Sequence, residues 1–203
     1  MPAPHQKQQF GITTLTSQHK AIRKLKRDYP VSIHGNKIWK SSLILIDYFQ
    51  QNPINQHCKV LELGCGWGLT AIYLNKTFGC HITALDADAN VEPYLRLHES
   101  INEAEVDFVA QKFENLTKKQ LSAFDLIIAA DVCFWDELAD VHFKLIKRAV
   151  DAGVKKIVYA DPIRSPFEAL AERCADRFDV ELDYVETQGT KTVSGALMVI
   201  EIE

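Results

Sequence analysis

The stretch VLELGCGWGLTAIYL, residues 60–74, joins an apolar, strand-like run to a segment with helical periodicity. At the junction, glycine occupies positions 64, 66 and 68, and Glu62 precedes them, so that the run reads ExGxGxG. Glycine adopts positive φ angles without the steric penalty of a Cβ, and it lets a ligand approach backbone N–H groups at a helix N-terminus. The stretch therefore predicts a strand-to-helix turn that borders a binding site for a small ligand.

The glycine spacing separates two classes of nucleotide ligand. A dinucleotide-binding turn has the pattern GxGxxG/A, which requires glycine or alanine at the position of Leu69. An acid still follows at the end of the next predicted strand, because Asp86 lies 24 residues after Glu62. Its carboxylate is suited to accept hydrogen bonds from both hydroxyls of a ribose. A nucleoside without a pyrophosphate fits these features better than a dinucleotide does.

Beyond residue 57 the chain alternates short apolar runs with segments of 3.6-residue periodicity. This alternation predicts an α/β fold, in which helices cover both faces of a mostly parallel sheet. The link between the last two runs is too short for a parallel crossover, so these runs are expected to pair as an antiparallel hairpin at the sheet edge. The predicted strands cover residues 58–63, 80–85, 106–109, 124–130, 155–160, 179–187 and 196–203.

We expect a single domain in which residues 1–57 form an N-terminal helical extension packed on a core of residues 58–203. A helix is predicted over 39–51, ahead of a proline at position 53. The tetrapeptides Thr117–Gln120 and Ser165–Glu168 both have the sequence of a capping box, in which the first side chain caps the helix.

The composition limits the class of protein. At 203 residues, with 47% apolar and 25% charged residues, the chain is typical of a globular domain. No window approaches 18 consecutive apolar residues, and the N-terminus has no apolar signal-peptide core, so we expect a cytoplasmic protein that does not bind membranes. The five cysteines include no CxxC pair and the seven histidines no HxH or HxxxH pair, so neither disulfides nor a metal site is expected.

The charge is unevenly distributed along the chain. Residues 1–40 carry eight basic residues and one acid, whereas residues 41–203 carry fifteen basic and twenty-six acidic residues. The basic residues of HKAIRKLKR, at 19–27, are consistent either with a solvated helix or with an arm that steers an acidic partner such as RNA. The absence of aromatic residues among those charges weakens the RNA interpretation.

Three features of the chain together resemble a known family. The run LELGCGWG, Asp86 and the block AADVCFWDEL are similar to class I S-adenosylmethionine-dependent methyltransferases, and the similarity covers residues 58–203. The resemblance implies a Rossmann-like doubly wound sheet of seven strands in the order 3-2-1-4-5-7-6, with S-adenosylmethionine as the cofactor. Within the superfamily, HGNKIWKSS (34–42) and Asp131-Val-Cys-Phe134 resemble the seven-strand protein-lysine methyltransferases, whose motif is Asp-x-x-Tyr or Asp-x-x-Phe.

The resemblance also assigns cofactor contacts to the glycine turn and to the strand that follows it. It implies that Asp86 binds the ribose. It further implies that the methionine part of the cofactor lies along a wall formed by Glu62, Gly64, Gly66 and Gly68.

Two aromatic residues complete the cofactor site that the resemblance implies. Phe113 is expected to stack on the adenine, although a core phenylalanine explains it equally well. Trp39 is expected beside the cofactor, and the alternative is a buried anchor for the N-terminal helix. At Lys112 many family members have an acid that accepts from the adenine amino group, so that contact is expected to be missing here.

Methyl transfer from a sulfonium is an in-line displacement that depends mainly on alignment and on the exclusion of water. Asp131 follows the strand expected next to the first one, so it should face the ligand crevice, where a carboxylate can orient a substrate amine. Its alternative role is the N-cap of the helix that begins near residue 136. Phe134 and Trp135 are expected either to line a channel for a lysine stem or to stack on a base. Arg164 is expected either to contact an acidic substrate group or to cap the sheet edge.

These residues predict an S-adenosylmethionine-dependent methyltransferase that N-methylates a protein lysine, with a monomer weakly favoured. RNA is the main alternative acceptor, supported by segment 19–27, but the Asp/Asn-Pro-Pro-Tyr/Phe motif of exocyclic-amine methylation is absent because positions 132 and 133 are Val and Cys. A small-molecule N- or O-methyltransferase and a non-catalytic cofactor-binding module remain further alternatives.

Overall fold

A computed structural model describes residues 4–188 and 192–202. Within them the chain forms nine strands and seven α-helices, joined by short 3₁₀ turns. The strands are β1 Gln6–Gln9, β2 Ile12–Leu15, β3 Lys59–Leu63, β4 His81–Asp86, β5 Asp107–Ala110, β6 Leu126–Ala130, β7 Lys156–Asp161, β8 Val180–Glu186 and β9 Ser194–Glu201. The helices are α1 Lys20–Asp28, α2 Ser41–Gln51, α3 Leu69–Phe78, α4 Glu92–Asn102, α5 Lys118–Leu121, α6 Asp136–Ala152 and α7 Ser165–Ala175.

Seven strands form one sheet in the order β5-β4-β3-β6-β7-β9-β8. The first five are parallel to one another, whereas β9 pairs antiparallel with both β7 and β8. Renumbered from β3, this order is the predicted 3-2-1-4-5-7-6, so the predicted doubly wound fold and its terminal hairpin are confirmed. Part of the link in that hairpin, residues 189–191, lies outside the described residues.

Two hydrophobic layers lie on opposite faces of the sheet. On β3, Val60 points into the layer shared with α2, α3 and α4, and its neighbour Leu61 points into the layer shared with α5, α6 and α7. All core positions of β3 are buried, as expected for a central parallel strand covered on both faces. The strand order reverses between β3 and β6, and their carboxyl ends therefore open a crevice between the flanking helices.

The N-terminal segment contains a feature that the helical prediction lacked. Strands β1 and β2 form a separate two-stranded hairpin around a turn at Phe10 and Gly11, whose φ angles are 52° and 76°. The backbone of Thr13 exchanges two hydrogen bonds with the Asn102 side chain, at 2.8 Å each, which ties β2 to α4. The available sequence signal was the glycine ahead of the β-branched run ITTL.

The helix caps differ partly from the predictions. The Thr117 capping box is confirmed, because the Thr117 and Gln120 side chains bond each other's backbone N–H groups. The Ser165 box is wrong, since α7 already includes Ser165 and its N-cap is Arg164, without a side-chain cap. Asp131 is not a helix cap either, because α6 begins at Asp136 and its N-cap is Trp135.

Gly68 offers a test of how tightly the turn is packed. Its φ is 72°, and an added Cβ would overlap the side chain of buried Leu95 on α4. Gly68→Ala is therefore expected to lower the free energy of unfolding by roughly 2–4 kcal/mol, from backbone strain and overpacking together. Gly153→Ala is the matched control, since its φ is 89° with no atom near the new Cβ, and about 1–2 kcal/mol is expected. If urea unfolding showed the same loss of unfolding free energy for Gly68→Ala and Gly153→Ala, the packing argument would be contradicted.

Candidate functional site

A pocket opens at the carboxyl ends of β3, β4 and β6, where the strand order reverses. It contains about 980 Å³ of empty space, including its open mouth. Its walls come from the glycine turn, from residues 86–88 after β4, from residues 130–138 after β6 and from the segment 32–42 that crosses over the turn. Of the residues predicted for the site, all except Gly68 line this pocket.

The glycine turn forms the floor of the pocket. Gly66 has a φ of 51°, and an added Cβ would meet no atom within 4 Å, so the backbone is bare on the side that faces the pocket. The Gly66 N–H donates to Oδ2 of Asp86 at 3.1 Å, and the Cys65 N–H donates to the Leu85 carbonyl at 3.0 Å. Gly68 contributes differently from its prediction, because it lies outside the lining and packs the start of α3 against α4.

Asp86 stands at the end of β4 with part of its carboxylate free. Its Oδ1 accepts from the Asp88 N–H at 3.0 Å, and its Oδ2 accepts from Gly66. A carboxylate has about four lone-pair positions, so two remain for the hydroxyls of a ribose. Burial raises the pKa of this carboxyl, and the backbone N–H groups of Asp88, Gly66 and Ala87 oppose that rise.

Glu62 lies deeper in the same wall, at the N-terminus of α3. Only 3% of the residue is exposed, and its Oε2 accepts a hydrogen bond from the Ala71 N–H at 3.2 Å. Burial raises the pKa of this carboxyl to about 8, so it is largely neutral at pH 7 without a cation beside it. A positively charged ligand group next to Glu62 would favour its ionised form.

Four aromatic rings cluster at one end of the pocket. The His34 ring lies 4.3 Å from that of Phe134 and 5.4 Å from that of Trp135, between ring centroids. Trp39 completes the cluster, with its centroid 5.5 Å from Phe134 and its indole N–H donating to the His34 carbonyl at 2.7 Å. Sequence reasoning missed His34, although the histidine stands first in the HGNKIWKSS block.

At the other end, Phe113 is placed where an adenine ring could stack. Its ring lines the pocket, with Cζ 3.6 Å from the position that a Cβ on Gly64 would take, and it packs on buried His142 with 4.8 Å between ring centroids. Lys112 is exposed and lies outside the lining, so it provides no acceptor for an adenine amino group.

Asp131 lies between the aromatic cluster and the glycine turn. It is 4% exposed, and its φ is 58°, a left-handed conformation that aspartate tolerates better than most residues. Its Oδ2 accepts from the Ser41 N–H at 3.1 Å, and its Oδ1 pairs with the Arg164 guanidinium at 2.8 Å.

Arg164 joins two carboxylates at the edge of the pocket. It also binds Asp161 at 2.7 Å, and its guanidinium lies 4.5 Å from the ring centroid of Phe134. The guanidinium therefore bridges Asp131 and Asp161 and packs on Phe134 at the same time. Arg164 was predicted either to contact an acidic substrate group or to cap the sheet edge, and the described contacts match the second role.

The described pocket fits S-adenosylmethionine by the chemistry of its donors and acceptors. Gly66 leaves bare backbone for the methionine part, Asp86 has free acceptors for a ribose, and Phe113 offers a flat surface for a base. The buried carboxyl of Glu62 suits the cationic ammonium group of this cofactor. Among the described residues there is no helix long and apolar enough to cross a membrane and no cluster of His, Cys, Asp and Glu suited to a metal ion.

Fold and site together define a class I S-adenosylmethionine-dependent methyltransferase, for which S-adenosylmethionine is the cofactor. A family model described as lysine methyltransferase matches residues 20–169, and the chain belongs to this family. The resemblance inferred from the glycine turn, Asp86 and the DVCF block is thereby confirmed.

Several characterised relatives are similar in sequence. The electron transfer flavoprotein beta subunit lysine methyltransferase of Xenopus laevis is 29% identical over 133 residues, which are 64% of this chain and 53% of that protein. Its counterpart in Danio rerio is 26% identical over 132 residues, 64% of this chain and 50% of that protein. A ubiquinone biosynthesis O-methyltransferase of Xylella fastidiosa is 30% identical over 89 residues, 44% of this chain and 36% of that protein. The matches thus span about half or less of these relatives.

Solved structures share the fold at low sequence identity. A precorrin-6y C5,15-methyltransferase from Geobacter metallireducens aligns with a TM-score of 0.62 and 14% identity, over 79% of this chain and 87% of that one. A plantazolicin methyltransferase in complex with S-adenosylhomocysteine aligns with a TM-score of 0.57 and 14% identity, over 92% of both chains. At these identities the likeness supports the fold alone.

The buried Glu62 predicts a pH dependence of cofactor binding. The carboxyl is protonated below its pKa of about 8, and a cationic ammonium beside it would lower that pKa, so binding releases a proton near pH 7. Affinity is therefore expected to rise with pH, by up to about tenfold per unit, and to level off above about pH 8. Calorimetry in buffers of different ionisation enthalpy measures the released proton.

Glu62→Gln keeps the shape of the neutral carboxyl and is expected to abolish both the proton release and the pH dependence. The exposed Glu114→Gln, which lies outside the pocket lining, serves as the control and is expected to behave as the wild type. An unchanged proton release in Glu62→Gln would assign it to another group.

Proposed function

We propose that the protein transfers a methyl group from S-adenosylmethionine to the ε-amine of a lysine in a protein substrate. The observation that carries this proposal is the buried, fixed carboxylate of Asp131 beside an aromatic cluster of His34, Trp39, Phe134 and Trp135. Aromatic rings suit the apolar stem of a lysine, and a carboxylate suits its amine. The family to which the chain belongs and its flavoprotein-methylating relatives support the same acceptor.

The cofactor supplies a methyl group already activated on a sulfonium, so the residues of the chain mainly bind and align. Gly66 presents the bare backbone along which the methionine part would lie, next to Gly64, and Glu62 would face its ammonium. Asp86 would hold the ribose, and Phe113 would stack on the base. With the nucleoside fixed at both ends, the methyl group would face the aromatic end of the pocket.

At that end, Asp131 would accept a hydrogen bond from the substrate amine and orient its lone pair toward the methyl carbon. Arg164 and the Ser41 N–H each engage one carboxylate oxygen, which holds Asp131 in a single orientation and leaves lone pairs free. Phe134 would pack against the lysine stem, with Arg164 fixing its ring from the other side.

The amine must lose a proton before it attacks the methyl carbon. In the part of the chain that the structure describes, Nδ1 of His34 is buried without a hydrogen-bond partner. Because His34 packs directly on Phe134, its imidazole is the ring of the cluster that can accept this proton.

RNA is the second candidate acceptor. Helix α1 exposes four basic side chains, which form no ion pair within the described residues; they are Lys20, Arg23, Lys24 and Arg27. Such a surface can neutralise phosphates. We rank RNA second because the aromatic cluster and Asp131 explain an amine on a long apolar stem more directly.

The test is incubation of the purified protein with radiolabelled S-adenosylmethionine and source-cell lysate, followed by separation into protein, RNA and small-molecule fractions. Label is expected in a protein band, at a lysine identified by mass spectrometry. Asp131→Asn is expected to lower kcat by roughly 10²-fold, with cofactor affinity unchanged, because the amide does not orient the amine as an anion does. His34→Gln is expected to lower kcat with KM unchanged.

Asp136→Asn removes an exposed acid five residues further on and should retain full activity. Melting temperatures of all variants separate loss of activity from loss of folding. Label in RNA or in a small molecule would contradict the lysine proposal, as would full activity of Asp131→Asn.

A further inference from the structure

A second cavity adjoins the first on the other side of Trp39. It contains about 910 Å³ of empty space, including its open mouth. The two cavities are separated by little more than the thickness of side chains, because five residues line both of them: Lys37, Ile38, Trp39, Trp67 and Leu69. The remaining walls come from the N-terminal hairpin, from the residues before α2 and from residues 192–193 before β9.

The second cavity is more basic than the first. Lys7, Lys37 and Lys40 line it, and no acid does so among the described residues. Lys37 also lines the first pocket, whereas Lys7 and Lys40 line the second alone. The three lysines are exposed, and none of them forms an ion pair in the described part of the chain. The Lys37 ammonium lies 4.0 Å from the ring centroid of Trp39, and thus directly at the wall between the two cavities.

The floor of the cavity is apolar with a few hydroxyl groups. Leu15, Leu43 and Val193 provide the apolar part, and Thr14 and Thr16 line the cavity beside them. The Oγ1 atom of Thr16 is buried without a hydrogen-bond partner in the described structure, so it is free to donate a hydrogen bond. Lysines above an apolar floor match an anionic group on a short apolar stem. A phosphate of a nucleic-acid backbone has no such stem.

We propose that the second cavity binds the carboxylate of a glutamate or aspartate that lies close to the target lysine in the protein substrate. This inference rests on the proposed function, because it pairs the acid with a lysine in the first cavity. In an extended segment, side chains two residues apart lie on the same side, about 6.6–7 Å apart. In a helix, side chains three or four residues apart are neighbours. Lys7, Lys37 and Lys40 would thus select an acid within four residues of the methylated lysine.

The test measures binding, so it does not depend on turnover. The probes are fluorescein-labelled nine-residue peptides with a central lysine and either Glu or Gln at one position from −4 to +4. Anisotropy is recorded with the full protein saturated with S-adenosylhomocysteine. At one or two positions the Glu peptide is expected to bind about tenfold more tightly than its Gln counterpart, and added salt should reduce the difference.

The variant Lys7→Gln/Lys40→Gln, which leaves Lys37 of the first pocket in place, is expected to reduce this preference to less than about threefold. The matched control, Lys20→Gln/Lys24→Gln on α1, removes the same charge outside the cavity and should retain the preference. Calorimetry with S-adenosylhomocysteine should give equal cofactor affinity for both variants and the wild type.

Three results would overturn the inference. The first is that the wild type shows no preference for the Glu peptide, or binds no peptide at all, and the second is that both variants lose the preference equally. The third is weaker cofactor binding in the cavity variant alone, which would assign the lysines to the cofactor carboxylate. If a single-stranded RNA oligomer bound the wild type and the α1 control but bound the cavity variant more weakly, the site would be reassigned to phosphate.

The inference and the proposed function can fail separately. Peptide binding that depends on the acid, without methylation of the lysine, would contradict the proposed function alone. Methylation that does not depend on the acid would contradict this inference alone.

Discussion

The pocket depends on the turn between β3 and α3 and on its attachment to the end of β4. The Gly66 N–H bonds the Asp86 carboxylate, and the Cys65 N–H bonds the Leu85 carbonyl, so the turn is held against the neighbouring strand. Left-handed backbone at alternate positions lets the chain reverse within a few residues and leaves the surface above Gly66 open. The beginning of α3, the ribose-facing carboxylate and the floor of the pocket are therefore fixed by one set of short contacts.

Charge divides the region around Trp39 into two parts. On one side the carboxyls of Glu62, Asp86 and Asp131 line a pocket suited to cationic groups. On the other side Lys7 and Lys40 line a cavity that no acid lines among the described residues, and Lys37 lines both. The acids are stabilised by different means: by protonation at Glu62, by backbone N–H donors at Asp86 and by the guanidinium of Arg164 at Asp131. Such a division would let one protein select both a cation to be methylated and an anion beside it.

The sequence was most informative where local pattern and fold agree. Each strand of the main sheet was predicted to within two residues of its bounds, because buried parallel strands are short apolar runs between helices. Asp86 could be singled out because of its distance along the sequence from the glycine turn. Contacts between residues far apart in the sequence could not be predicted from local pattern. Arg164 is 33 residues from Asp131 and Ser41 is 90 residues from it, yet both form hydrogen bonds to its carboxylate. The hairpin at residues 6–15 was missed for the same reason, because side chains of α4 fix its second strand.

The central claim is that this turn and Asp86 form the cofactor site, and calorimetric titration with S-adenosylhomocysteine tests it most directly. One-to-one binding is expected for the wild type and for Asp107→Ala, which removes an exposed acid from the edge strand β5. Asp86→Ala is expected to weaken binding by roughly 10²-fold, since it removes a charged acceptor for both ribose hydroxyls. Equal affinity of Asp86→Ala and the wild type would contradict the account.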